Sequence, residues 1–358
     1  MLDKVEIKGY KSIKELSMDI APINILIGAN GSGKSNFLSF FNFLKEIYKQ
    51  NLQQYVALNG GTESFLHKGN KVTSEIKAKV QLSVNDYSFV LSAGVNGFIF
   101  SVETLSYSNP NSPFEGDLNI NAFGFESNLK FNTKPRAQYI RDYLDSIIKY
   151  HFHDTGKQSP FHNSSNINSD HFLLYEDGRN LAAFLYGIKE EYPKQYNLIV
   201  RTIQSVAPYF SDFYLQPNEN GNVQLFWTSK YSSTIYSSRD LSDGTIRFIA
   251  LTLLFMQPKL PSTIIIDEPE LGLHPFAINK LSGMIKSVSK KGTKVILATQ
   301  STDLISYFEP EDIITVDQIE GESVFKRLDS ENLKEWLDTY TIDDLWKRNI
   351  INSGQPNS

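Results

Sequence analysis

The chain has 358 residues and a net charge of −5; its 41% hydrophobic and 21% charged residues exclude wholesale disorder and suit one large α/β domain with an insertion, or two domains. It contains no cysteine, which excludes a disulfide scaffold, a thiolate metal site and a cysteine nucleophile. No apolar leader segment follows Met1, and the longest apolar run, 248–256, is too short for a membrane span, so a soluble cytoplasmic protein is expected.

In chain order, the first fifty residues read as strand, turn, strand, Gly-rich loop and helix. Residues 5–10 alternate in strand fashion and 23–27 are a short apolar strand. After the loop 28–35, a helix carries Phe37, Leu38, Phe40, Phe41 and Leu44. Between about 72 and 131, alternating segments broken by Asn, Gly, Ser and Pro turns predict an antiparallel sheet. Helical patterns return over 139–209, notably at 181–185 and 196–203, and a strand pair follows over 213–227 around Asn218-Glu219-Asn220-Gly221. The last third predicts a helix over 243–256, a strand over 263–266, a helix over 277–288 and a strand over 294–298, an alternation that indicates a parallel sheet. No internal repeat or coiled-coil heptad is present, and 352–358 read as a polar tail.

Charge is unevenly spread. Residues 309–345 hold 12 acidic and 3 basic side chains, whereas 130–149 hold 5 basic and 2 acidic. Both read first as solvated surface. The basic stretch is also a candidate polyanion contact, through Lys134, Arg136 and Arg141, and the acidic stretch a candidate partner contact.

Three segments carry chemistry. Residues 28–35 fit G-x-x-x-x-G-K-[ST] in full, between an apolar strand and a helix, which is the context of a phosphate-binding loop. Backbone N–H groups of Asn30, Gly31, Ser32 and Gly33 would curl around a β-phosphate at the helix N-terminus, with Asn36 beside them. Lys34 would reach the β- and γ-phosphates, and Ser35 would ligate Mg²⁺. The second segment is Thr263-Ile264-Ile265-Ile266-Asp267-Glu268-Pro269, a buried strand with two carboxylates at its C-terminal end, where α/β sheets hold ligands. Asp267 would bind Mg²⁺, directly or through water, and Glu268 would act as general base on the attacking water. The third is Leu241-Ser242-Asp243-Gly244-Thr245, 25 residues before Asp267, with Ser242 a good helix N-cap.

With Glu268-Pro269-Glu270-Leu271-Gly272-Leu273-His274-Pro275 and Ala298-Thr299-Gln300-Ser301, this order of motifs resembles the AAA-type predicted ATPases of the RecF/SMC/OLD-like branch of ABC-type ATPases. The likeness extends to 150–155, 177–183, 247–251, Trp336-Leu337 and Leu345-Trp346, nearly the whole chain, and is nearest to short stand-alone members without coiled coil or nuclease domain. It implies a P-loop NTPase fold, an α/β ABC-type head with a mixed parallel and antiparallel sheet lobe and a mostly helical second lobe. The first lobe would comprise 1–150 and 241–350, the second 151–240, with 351–358 as tail. The resemblance further implies that Ser242 and Gly244 contact the γ-phosphate held by the opposite subunit of an ATP-dependent homodimer, Asp243 replacing the usual first Gly. Residues 270–275 fall where a loop crosses that interface, so His274 is either a partner contact or a packed loop residue.

Gln300 stands where transporter-type relatives carry a switch histidine. Glutamine can hydrogen-bond a γ-phosphate but carries no proton or charge, so slow hydrolysis is expected. The residue linking the two lobes is His153 or Asp154, and His151, His153 and His162 leave surface, sensor and metal-site readings open. Lys11 falls where relatives pack an early turn against adenine, which a plain hairpin turn explains equally well. The expected cofactors are ATP and Mg²⁺. The expected activity is Mg²⁺-dependent ATP hydrolysis switching a DNA-associated process such as repair or sensing, with direct DNA contact. The alternative is an ATPase subunit regulating a separate nuclease or toxin effector protein in anti-phage defence. Gln300 and the long insertion between Ser35 and Ser242 disfavour a transporter subunit, no nuclease constellation is visible, and no membrane partner is expected.

Overall fold

The computed structural model describes residues 1–351 except 110, 111, 113, 114, 338 and 349; the polar tail expected over 352–358 lies outside the described residues. Its centre is a six-stranded sheet in the order Glu322–Arg327, Ile313–Ile319, Ile23–Ile27, Lys294–Thr299, Thr263–Asp267, Ile147–Tyr150. All neighbours are parallel except the first pair, an antiparallel hairpin at one edge. Successive residues of the central strands enter opposite cores: Ile264 and Ile266 face one, Ile265 the other, and Ile25 and Ile27 oppose Leu26. Burial on both faces is why these strands are continuous apolar runs and not alternating ones.

One face is covered by helices Asp243–Met256, Pro275–Lys290 and Thr302–Ile305. Against the other lies helix Lys34–Tyr48, which is itself wedged beneath a second, antiparallel sheet. That sheet has the order Ile13–Asp19, Leu2–Tyr10, Glu75–Leu82, Asn85–Gly94, Gly97–Tyr107, Gly116–Asn121. Packing between two sheets requires a helix that is apolar over most of its circumference, and Phe37, Leu38, Phe40, Phe41, Phe43, Leu44 and Ile47 are all buried. Tyr10 of the antiparallel sheet meets Phe43 of the helix with ring centroids 5.3 Å apart. Inside that sheet the buried Glu103 carboxylate accepts from Tyr87 Oη at 2.6 Å, from the Asn128 N–H at 2.9 Å and from the Ser127 hydroxyl, which satisfies a group otherwise costly to bury.

Residues 151–240 contribute helices Leu181–Glu191 and Pro193–Val206 and an antiparallel sheet of Phe210–Tyr214, Phe226–Ser229 and Ser232–Ser237. Their apolar faces join the core of helix Asp243–Met256 through Leu185, Ile199, Phe210 and Trp227. Among the described residues no helix is long and apolar enough to cross a membrane.

The two charged stretches are built into the fold more than their composition suggests. Within 309–345, Ile313, Ile314 and Val316 are buried in the parallel sheet, and Glu322 pairs with Lys14 at 3.1 Å and Lys68 at 3.2 Å. Within 130–149, Arg136 Nη1 donates to Leu105 O at 2.9 Å and Gly116 O at 2.6 Å, and Arg141 Nη1 donates to Leu129 O and Asn132 O, both at 2.7 Å. These two guanidiniums tie helix Pro135–Asp145 to the neighbouring backbone and are half-buried, whereas Lys134 is exposed.

Candidate active site

The phosphate loop leaves strand Ile23–Ile27 and enters helix Lys34–Tyr48. Gly33 at the N-cap has φ 113°, and the helix has neither a side-chain cap nor an acidic residue in its first turn. Its first N–H groups and the positive end of its dipole are therefore left for an anion. Gly31, at φ 81°, has open space where a Cβ would stand, and Asn30 is exposed beside it. A Cβ on Gly33 would lie 1.9 Å from Ser323 Oγ, because the hairpin at the sheet edge closes behind the loop. Ser323 Oγ donates to Ser32 O at 2.6 Å and accepts from Ser12 Oγ at 2.7 Å, and Asn36 Nδ2 donates to Ser12 Oγ at 2.7 Å. Ser32 Oγ is buried without a partner.

Lys34 is buried and donates through Nζ to Gly28 O at 2.6 Å and Ala29 O at 3.0 Å. Burial pushes its pKa down, opposed by the carboxylates of Asp267 and Glu268. Across the sheet, Ser35 Oγ donates to Asp267 Oδ2 at 3.3 Å. Two hard oxygen donors at this separation, next to a phosphate loop, fit Mg²⁺. Burial raises the Asp267 carboxyl above its ordinary value, with Lys149 and His153 acting to lower it.

Glu268 has φ 40°, the left-handed region that a side chain with a Cβ adopts at a cost of about 1–3 kcal/mol and that clusters at functional sites. Its N–H donates to Ala298 O at 2.8 Å, and its Oε1 accepts from Gln300 Nε2 at 2.7 Å. The structure thus brings Lys34, Ser35, Asp267, Glu268 and Gln300 to the C-terminal ends of three adjacent strands.

Ser242 caps helix Asp243–Met256, accepting the Thr245 N–H at 3.3 Å, and is exposed. Among the described residues no hydrogen bond joins it to the phosphate loop. Gly244 packs so closely on the following turn that a Cβ would lie 2.5 Å from Gly272 O. His274 is exposed and caps helix Pro275–Lys290 through its ring nitrogen, which accepts the Phe276 N–H at 3.3 Å. Lys11, at φ 49°, donates to Ser39 Oγ at 3.1 Å and lies over the Tyr10 and Phe65 rings, so its turn packs on the phosphate-loop helix.

Of the lobe-linking candidates, His153 faces Asp267, while the Asp154 carboxylate accepts the Gly156 N–H at 3.0 Å. The three histidines do not form one cluster: His162 is buried against Ser238 Oγ at 2.7 Å, and among the described residues no group of three or more His, Cys, Asp or Glu side chains is placed to hold a metal ion. Three participants were not evident beforehand. Lys149, on strand Ile147–Tyr150, faces both Asp267 and Lys11; its one prior signal was membership of the basic stretch. Buried Arg247 donates to Phe152 O at 2.9 Å, to His153 O at 2.7 Å and to Leu271 O, joining the signature helix to two site loops. Glu270 is buried behind Glu268 against the Thr299 hydroxyl.

Similarity to known proteins agrees with this geometry. A family model described as "AAA domain, putative AbiEii toxin, Type IV TA system" matches residues 23–306. The Old nuclease of Escherichia phage P2 is 23% identical over 93% of this chain and 62% of its own length. The DNA replication and repair protein RecF of Phocaeicola vulgatus is 24% identical over 49% of each chain. The chain therefore spans between about half and two thirds of the length of these relatives. An Smc head bound to the C-winged helix domain of ScpA superposes with a TM-score of 0.58 at 15% identity, covering 93% of this chain and 99% of that one. A second Smc head, with an extended coiled coil and bound to a ScpA domain derived from Pyrococcus furiosus, gives 0.55 at 15% identity over 94% and 98%. With the phosphate loop and the strand-end carboxylates inside the matched region, the chain belongs to this AAA-domain family; it is similar in sequence to Old and RecF proteins and shares the fold of an Smc head.

Proposed function

We propose that the chain binds ATP with Mg²⁺ and hydrolyses it, and that two copies close head to tail around two nucleotides. The observation that carries this reading is the pairing of Ser35 with Asp267 and of Gln300 with Glu268 around the open N-terminus of helix Lys34–Tyr48. Glu268 takes a proton from water as the water oxygen bonds to the γ-phosphorus and the bond to the bridging oxygen of ADP breaks. Lys34 leaves its carbonyl partners for the phosphates, and Gln300 holds Glu268 or the attacking water. Ser35 and Asp267 would hold Mg²⁺, which neutralises phosphate charge. The exposure of Ser242 at the N-terminus of helix Asp243–Met256, apart from its own chain's phosphate loop, supports its use by a second copy.

The switch serves a DNA-associated process; likeness to RecF, a DNA replication and repair protein, supports this reading. Regulation of a separate effector in anti-phage defence is the second reading, favoured by likeness to the phage P2 Old nuclease and by the family's description. Phosphate release with Mg-ATP tests the activity. Wild type should turn over slowly, and Lys34→Ala should lose binding of a fluorescent ATP analogue by at least about tenfold. Equal binding and release by both proteins would contradict the assignment. DNA binding that weakens as salt rises, and again with Lys134→Glu, supports the first process; DNA binding absent at low salt points to the effector.

A further inference from the structure

Three hydrogen bonds cross-link the turn after strand Thr263–Asp267 to the end of strand Lys294–Thr299. The Glu268 N–H donates to Ala298 O at 2.8 Å, Gln300 Nε2 donates to Glu268 Oε1 at 2.7 Å, and the Thr299 hydroxyl donates to Glu270 Oε1. The third differs from the exposed Gln300–Glu268 bond in being a buried side-chain pair: Thr299 is fully enclosed and Glu270 is 7% exposed. Thr299 Oγ also accepts the Ser301 N–H at 2.9 Å, which fixes its rotamer and leaves its single proton to Glu270. Glu270 Oε2 is buried with no partner. A carboxylate in that position would leave a charged oxygen unsatisfied in the interior, whereas a carboxylic acid or an amide would not.

We propose that Glu270 is a positioning residue that, through Thr299, sets where the Gln300 amide meets the Glu268 carboxylate. Thr299 and Gln300 are consecutive, so a buried anchor on the first limits the backbone from which the second reaches Glu268. Glu268 is already held at an unfavourable φ, so the turn needs support from outside itself. The charged groups facing Glu270 are Glu268 and Asp267 from its own turn and Arg247 from helix Asp243–Met256. Burial is the largest influence and pushes the carboxyl up to about 7, against the Thr299 hydrogen bond. Below neutral pH the anchor is mostly uncharged and adds little repulsion to Glu268; as pH rises through that value it ionises beside two carboxylates.

The proposal rests on Glu268 and Gln300 working together in ATP hydrolysis, and the test separates the two ideas. Steady-state hydrolysis by the full chain is measured for Glu270→Gln, Glu270→Ala, Thr299→Val and Thr299→Ser. Glu270→Gln keeps a neutral acceptor and should hold kcat within about twofold of wild type, without the fall in kcat that wild type shows as pH rises above about 7. Glu270→Ala and Thr299→Val should each lose about tenfold or more in kcat with KM for ATP within about twofold, and Thr299→Ser should restore kcat. Wild-type kcat in Glu270→Ala, or a Glu270→Gln variant as impaired as Glu270→Ala, overturns the proposal. If wild type hydrolyses no ATP, the hydrolase reading fails and the anchor is judged by urea unfolding. Destabilisation by Glu270→Ala and Thr299→Val that does not add in the double variant supports it, and additive losses overturn it.

Discussion

Lys34 and Asp267 are both drawn out of water by the fold, and burial pushes their pKa values in opposite directions, the lysine down and the carboxyl up. Each shift is opposed from the other side of the site: Asp267 and Glu268 act to raise Lys34, while Lys149 and His153 act to lower Asp267. Asp267 must be ionised to hold a cation, so activity is lost as pH falls through its raised value. Lys149→Met removes the stronger of the two cationic influences on Asp267 and should move this acidic limb of the pH–rate profile to higher pH. It should also weaken apparent Mg²⁺ affinity by about tenfold, the usual cost of losing a supporting group beside a metal ligand. A titration of hydrolysis against Mg²⁺ at two pH values reads both effects, and an unmoved limb would remove Lys149 from the site. Glu270 and Arg247 stood only inside stretches that carry the family resemblance and Lys149 only in the basic stretch, and none had a role assigned, because each acts through a tertiary neighbour. Lys34, Ser35, Asp267 and Glu268 were legible because phosphate binding demands a local spacing and the carboxylates end an apolar strand.

Among the elements, the hairpin of Ile313–Ile319 and Glu322–Arg327 has the largest effect on the site relative to how little its sequence announces it. Its acidic residues read as surface, yet its first strand pairs in parallel with Ile23–Ile27, and Ser323 bonds the backbone of the phosphate loop from behind. Strand Ile147–Tyr150 was equally hidden, since four residues of a basic stretch make too short a pattern to separate from a loop. Strand Ile13–Asp19 sits at the edge of its sheet, where Lys14, Glu15, Ser17 and Asp19 are exposed and the apolar signal is thin. The strands 23–27 and 263–266 and the helix 243–256 were readable because they are buried on both faces or packed on most sides. Gly33→Ala tests the hairpin's role directly. The added Cβ would meet Ser323 Oγ at 1.9 Å in a backbone at φ 113°. A cost of about 2 kcal/mol or more and loss of ATP-analogue binding are expected, read by urea unfolding and fluorescence titration. Binding and stability at wild-type level would show that the loop moves freely of the hairpin.

At the scale of the whole molecule, the phosphate loop and the Ser242 loop lie at the ends of elements that share one continuous core, yet no described hydrogen bond joins them within the chain. Arg247 ties the helix behind Ser242 to the loops at Phe152, His153 and Leu271, so a displacement of the nucleotide site would be passed to the signature helix through three carbonyls. On the proposed reading, the γ-phosphate contact would be completed by Ser242 and Gly244 of a second copy. Arg136 and Arg141, which would otherwise be the natural polyanion ligands, are committed to backbone carbonyls, so direct DNA contact by helix Pro135–Asp145 depends on Lys134 and on lysines outside it. The measurement that reaches the centre of the account is mass by light scattering of wild type and Glu268→Gln, each with and without Mg-ATP, with phosphate release followed in parallel. The account predicts that Glu268→Gln becomes a stable dimer in Mg-ATP without releasing phosphate, while wild type returns to its starting mass as it hydrolyses. One unchanged mass for both proteins, with wild type still hydrolysing ATP, would contradict the use of Ser242 across a nucleotide-dependent dimer.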